Sequence, residues 1–207
     1  VVMSETVLVE NTMQVMEFHG LAVPNEILVG EEIRDKWLEL EGKCYRWHTI
    51  WNKLYKKSLW DKCMHYYQKV VEHIVMTEDI AFSFPLLYFS KRFKKINNCV
   101  YYYCQNKDSS TDSNKMNYQK YKKNIHDIFY VFKFVQDFLE SVGASEKEKE
   151  KFDCFRDYYK RLWKNGIKSI LLDEDKKKAE KCFEDFFGHY EEKLSTDDVF
   201  FDSIKAE

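Results

Sequence analysis

Apolar residues recur at helical spacing in four stretches of the chain. From Glu31 onward, Ile33, Trp37, Leu38 and Leu40 share one face of a helix that Gly42 ends. Tyr118, Tyr121, Ile125, Ile128, Phe129, Phe132, Val135 and Leu139 form a longer stripe, closed by Gly143. Ser145, with Glu148 three residues on, predicts a capping box for a helix carrying Phe152, Phe155, Tyr159, Leu162 and Trp163. Asp173 is placed to cap one more, with Ala179, Cys182, Phe183 and Phe186 on its face and Gly188 at its end. The strand signals lie earlier. Val7 to Val9 and Gln14 to Met16 are short β-rich runs broken by Gly20 and Pro24, and Cys99 to Cys104 reads as a buried aromatic strand. A polar loop from Lys107 to Asn114 follows it. The pattern predicts a helix-rich α/β chain: strands and mixed structure in residues 1–113, then a helical C-terminal sub-domain over 114–207.

Composition narrows the classes. At 207 residues the chain is long enough to bury a real core, and 17% aromatic residues are too many for a solvated, disordered polymer. A net charge of -2 removes bulk electrostatics as a reason to invoke nucleic acid. The six cysteines are widely spread and contain no Cys-x-x-Cys pair, which favours free thiols over a zinc site or a disulfide framework. The longest apolar runs, Ala81 to Phe89 and Ile128 to Val135, are interrupted and too short to span a bilayer. The opening Val1-Val2-Met3-Ser4 has no initiator methionine and a strand-like start, so the chain is expected to be a piece of something longer.

Two clusters carry candidate chemistry. In Thr77-Glu78-Asp79, Thr caps helices and acids favour the N-terminal end of the helix that follows. Equally, a carboxylate at such a position is suited to take a proton from a substrate hydroxyl. Pro85 bears on the choice: a helix begun at Asp79 would be kinked there, whereas one begun near Ser83 would leave both acids in a loop. In Trp51-Asn52-Lys53-Leu54-Tyr55, alternation would put Trp51, Lys53 and Tyr55 on one side of an extended segment and Asn52 and Leu54 on the other. Trp and Asn beside a carboxylate suit a sugar, one stacking on its apolar face and the other bonding its hydroxyls.

Taken in order, Trp51-Asn52-Lys53-Leu54-Tyr55, Thr77-Glu78-Asp79, Asn98-Cys99-Val100-Tyr101-Tyr102-Tyr103 and Ser109-Ser110-Thr111 form a set. That set resembles the second half of the bacterial family 2 glycosyltransferases, inverting enzymes of the GT-A fold. The resemblance covers about Val1 to Asn114, with Val1-Val2-Met3 similar to the strand that follows the family's metal-binding acids. It implies a partial GT-A domain, the acceptor half, over residues 1–113. It implies that Asp79 is the catalytic base and that Glu78 shapes the acceptor site. Trp51, Asn52 and Lys53 would line the substrate cleft, and Ser109 would lie near the donor diphosphate. One departure is Cys104, where many relatives carry Arg.

The implied partners are a nucleotide-sugar donor and a saccharide or lipid-linked acceptor, both engaged by a full-length parent. No metal site is expected within these residues, and a divalent cation, Mg or Mn, is implied only with the donor-binding half upstream of Val1. The isolated chain is therefore expected to be inactive. The implied location is cytoplasmic, with at most peripheral contact at the inner face of a membrane. The competing expectation is a non-catalytic helical interaction module, whose aromatics are core and whose lysines form a solvated face.

Overall fold

The computed structural model describes residues 1–9, 15–17, 26–38, 45–70, 73–104 and 116–188. Among them the chain is helix-rich α/β. Strand β1 (Val2–Val9) lies parallel to the long β5 (Arg92–Cys104) along its whole length. The other edge of β1 takes two antiparallel partners: β4 (Lys53–Leu54) at its start and β2 (Val15–Glu17) at its end. β3 (Leu28–Val29) pairs antiparallel with the start of β5. β5 begins at Arg92, earlier than the aromatic run starting at Cys99 suggests. Its basic first residues are tolerated because this end faces solvent, with Arg92 and Lys94 exposed and only Phe93 buried.

The helices are α1 (Glu31–Leu38), α2 (Tyr45–His48), α3 (Lys57–Tyr67), α4 (Glu78–Tyr88), α5 (Tyr118–Ser141), α6 (Glu146–Gly166) and α7 (Asp173–Phe187). Their stripes bury as the periodicity requires: Ile33, Trp37 and Leu38 on α1, and Phe152, Phe155 and Tyr159 on α6. The predicted capping box forms in full, with the Ser145 hydroxyl accepting the Glu148 N–H and the Glu148 carboxylate accepting the Ser145 N–H. Asp173 is not a cap: Leu172 occupies that position without a side-chain bond, and Asp173 is the first of three acids in the opening turn. There the acids act through the helix dipole instead.

α4 is apolar almost all round, and it is correspondingly the hub. Ile80, Ala81, Ser83, Phe84, Pro85, Leu86 and Leu87 are all buried on it. Trp37 packs at 4.5 Å on Phe84 and 4.9 Å on Phe155, and its indole N–H donates to the Ser83 hydroxyl at 3.3 Å. One core cluster runs from Leu28 through α4 to Phe155 and Tyr159, so apolar residues from both sides of position 113 share a single interior. A second, smaller cluster joins Tyr121 and Ile125 to Ile167, Ile170, Ala179 and Phe183.

Pro85 sits inside α4, so the helix accommodates the proline and does not start after it. The proline removes one backbone donor and crowds the preceding turn. The donor it lacks is the one that would serve the Ala81 carbonyl; on the next carbonyl, that of Phe82, the Tyr67 hydroxyl donates at 2.7 Å. Cys63 and Cys182 are buried free thiols, and Cys154 is free and exposed. Among the described residues, no helix is long and apolar enough to cross a membrane.

Candidate functional site

Glu78 and Asp79 form the first turn of α4, and both are half-buried. The loop reading of these acids, which a helix starting near Ser83 would have required, does not hold. Thr77, expected to cap the helix, occupies the N-cap position with φ 63 and ψ 17 and makes no capping bond. Its hydroxyl donates to the Met76 carbonyl at 2.6 Å. A β-branched residue in left-handed backbone is strained, and such strain persists only where neighbouring structure imposes it.

The second cluster folds onto the first. The Ile50 N–H donates to Asp79 Oδ1 at 3.4 Å, bringing the segment around Trp51 against the acid from 29 residues away. Trp51 and Asn52 form a turn, and only Lys53 and Leu54 pair as strand. The alternation predicted for an extended Trp51–Tyr55 is therefore lost. Asn52 and Lys53 are both buried, at 2% and 7% exposure, whereas Leu54 is exposed. The turn lets the long Lys53 side chain double back: its Nζ donates to Asn52 Oδ1 at 2.8 Å and to the Thr49 carbonyl. Asn52 Oδ1 also accepts the Thr49 hydroxyl at 3.0 Å. Trp51 stays half-buried. Ser109 lies outside the described residues.

Electrostatics at the pair follow from burial. Partial desolvation raises the Asp79 carboxyl above its ordinary value, opposed by the Ile50 N–H and the Lys53 charge. Glu78 is raised as well, by burial first and then by the Asp79 and Asp127 charges; its own N–H and Lys123 pull the other way. A carboxylate made more basic by its setting is better matched to general-base work at neutral pH.

Three residues around the pair were given no role from the sequence, although Tyr55 closes one of the two candidate segments. The Tyr55 hydroxyl is buried without a hydrogen-bond partner, and burial and the Asp79 charge both keep the phenol protonated. An orphaned buried donor is uncommon and supplies a ready bond to an incoming oxygen. His48 packs against Trp37 and Phe155, and burial and then the Lys53 charge push its imidazole down to about 3, so it is neutral. Asp127, on α5, is 3% exposed and bonds to the backbone just before Thr77. Its only signal in the sequence is a charge between two core positions, Ile125 and Ile128.

A surface hollow of about 120 Å³ lies between α3 and α5, lined by Tyr66, Lys69, Tyr130, Phe134 and Phe138. None of the candidate residues lines it. Among the described residues no group of three or more His, Cys, Asp or Glu side chains converges to hold a metal ion. The Glu78–Asp79 pair by itself offers too few converging oxygen ligands for a divalent-cation site. No protein-family model, no curated protein and no solved structure matches the chain.

Proposed function

We propose that the chain is the acceptor-side portion of an inverting glycosyltransferase of the GT-A type, with Asp79 as the general base. The observation that carries the reading is the contact between Ile50 N–H and Asp79 Oδ1. Two motifs separated in sequence, each pointing to sugar chemistry, meet at one carboxylate. The parallel β1–β5 pair, running beside that site in a helix-rich α/β chain, is compatible with the same reading.

In the proposed reaction, Asp79 takes the proton from an acceptor hydroxyl as that oxygen attacks the anomeric carbon of the donor sugar. The bond from that carbon to the nucleoside diphosphate breaks on the opposite face, so the configuration inverts. Glu78, beside the base, borders the acceptor. The half-buried Trp51 is assigned to stack on the acceptor sugar, and the buried Asn52 and Lys53 hold the turn that carries it. Ser109 is assigned to the donor diphosphate by resemblance alone. The rest of donor recognition, and any divalent cation, are assigned to residues outside these 207. The acceptor is a saccharide or a lipid-linked acceptor, met in the cytoplasm or at the inner surface of a membrane.

The test is transfer from a panel of nucleotide sugars by the full-length parent enzyme. Asp79→Asn keeps the size and one acceptor oxygen but cannot take a proton. It should cost roughly 10²–10⁴-fold in kcat with donor affinity unchanged. Full activity with Asn at this position ends the catalytic assignment.

A further inference from the structure

α5 passes beneath the acidic pair with a buried carboxylate in the middle of its apolar face. Asp127 Oδ2 accepts the Val75 N–H at 3.0 Å, the Met76 N–H at 3.1 Å and the Lys123 ammonium at 2.9 Å. Oδ1 faces the exposed His126 ring, with Nδ1 at 3.6 Å. Val75 and Met76 are the two residues before Thr77, and Thr77 is the one non-glycine residue with positive φ among those described. Thr77 lacks a capping bond of its own, and its hydroxyl bonds back only to the Met76 carbonyl inside the same turn, so its side chain does not tie the turn to the rest of the fold. The restraint arrives from 51 residues further along the chain.

We propose that Asp127 is the positioning residue for the acidic pair. By gripping two successive N–H groups it holds the strained turn at Thr77, and so sets Glu78 and Asp79 in place against the loop from Thr49 to Tyr55. Burial alone would raise the Asp127 carboxyl; the Val75 N–H, the Lys123 ammonium and the Met76 N–H outweigh it and hold the group below its ordinary value, ionised and able to accept all three bonds. An ion in an apolar face is costly unless fully bonded, and here its bonds serve two backbone N–H groups that an apolar side chain would leave without this acceptor. The assignment rests on the reading of Asp79 as the base.

Two measurements separate the anchor from the chemistry. Hydrogen exchange on the wild-type chain should find the Val75 and Met76 amides protected, and Asp127→Asn should speed both. Unprotected amides in the wild type, or unchanged exchange in the variant, overturns the anchor without reference to activity. In the transfer assay, Asp127→Asn should lower kcat by about 10- to 10²-fold with the donor KM unchanged, as small displacements of a catalytic group do. It should cost nothing further on top of Asp79→Asn. Thr77→Gly, which adopts left-handed backbone without strain, should restore part of the lost kcat to Asp127→Asn. A fully additive loss, or no rescue by Thr77→Gly, makes Asp127 merely structural. If Asp79→Asn itself keeps full activity, the catalytic reading fails and the positioning role with it, while the exchange data still decide whether Asp127 holds the turn.

Discussion

Arg34 Nε donates to Glu148 Oε1 at 2.7 Å across 114 positions of chain, and the same carboxylate closes the capping box of α6. The guanidinium also lies over the Tyr88 ring at 4.7 Å, so one arginine ties α1 to α4 and α6. Burial would raise the Glu148 carboxyl, but the Ser145 N–H and hydroxyl, with Arg34, hold it below its ordinary value. Glu148→Ala removes the cap bond and the ion pair together and should cost about 1–2 kcal/mol in urea unfolding. Glu148→Gln keeps the capping geometry and should cost less than half of that. Equal losses for the two would show that charge, not capping, dominates there.

Glu78 and Asp79 should make the fold less stable as pH rises. Their folded carboxyls titrate above the ordinary values of 4.5 and 3.8, so between those values and the raised ones the folded state holds more protons than the unfolded chain. The penalty is absent below about pH 4 and complete once both are ionised. The double variant Glu78→Gln/Asp79→Asn should therefore be more stable than wild type at pH 7, with the gain vanishing toward pH 4. Asp127 and Glu148 work in the opposite sense: their lowered carboxyls contribute stability above the ordinary range that is lost as pH falls through the folded values. Denaturation midpoints between pH 3.5 and about 7.5 would separate the two groups.

Lys53 holds the Thr49–Lys53 turn from inside and lends charge to Asp79. Lys53→Met keeps most of the volume and loses the bonds to Asn52 and the Thr49 carbonyl, at a cost of about 1.5–3 kcal/mol. Without the ammonium the Asp79 carboxyl should titrate higher still. Carboxyl NMR across the acid range checks this, and an unmoved or lowered Asp79 titration would contradict the coupling.

Tyr67 supports α4 from outside the helix. Tyr67→Phe should cost about 0.5–1.5 kcal/mol, the worth of one hydrogen bond to the Phe82 carbonyl. In a Pro85→Ala background the loss should stay about the same, because the carbonyl that the proline leaves unserved is that of Ala81, four residues before it, and not that of Phe82. A double-mutant cycle on unfolding free energies checks this, and a loss that shrinks without the proline would contradict it.

The sequence by itself determined four of the helices and their buried faces. Period-3.6 stripes locate α1, α5, α6 and α7, with Gly143 and Gly188 just past the ends of α5 and α7, and the Ser145–Glu148 pair announces its capping box, because these features depend only on residues within a few positions; Gly42, expected to end the first stripe, lies outside the described residues. The strand near Tyr101 was legible too, although its start at Arg92 was hidden by lysines on an exposed end. The chemistry-bearing segments Trp51–Tyr55 and Thr77–Asp79 stood out as motifs. Their geometry did not. Alternation assumed an extended strand at Trp51, where a turn buries Asn52 and Lys53 together, and local preference made Thr77 a cap, where it takes strained left-handed backbone. Both departures come from contacts made across the fold: Ile50 N–H on Asp79, and Asp127 on Val75 and Met76. Such bonds join residues 29 and about 50 positions apart, and no local periodicity encodes them. Tertiary packing alone decided where the two acids stand, because it alone supplies the buried donors and charges that hold them there.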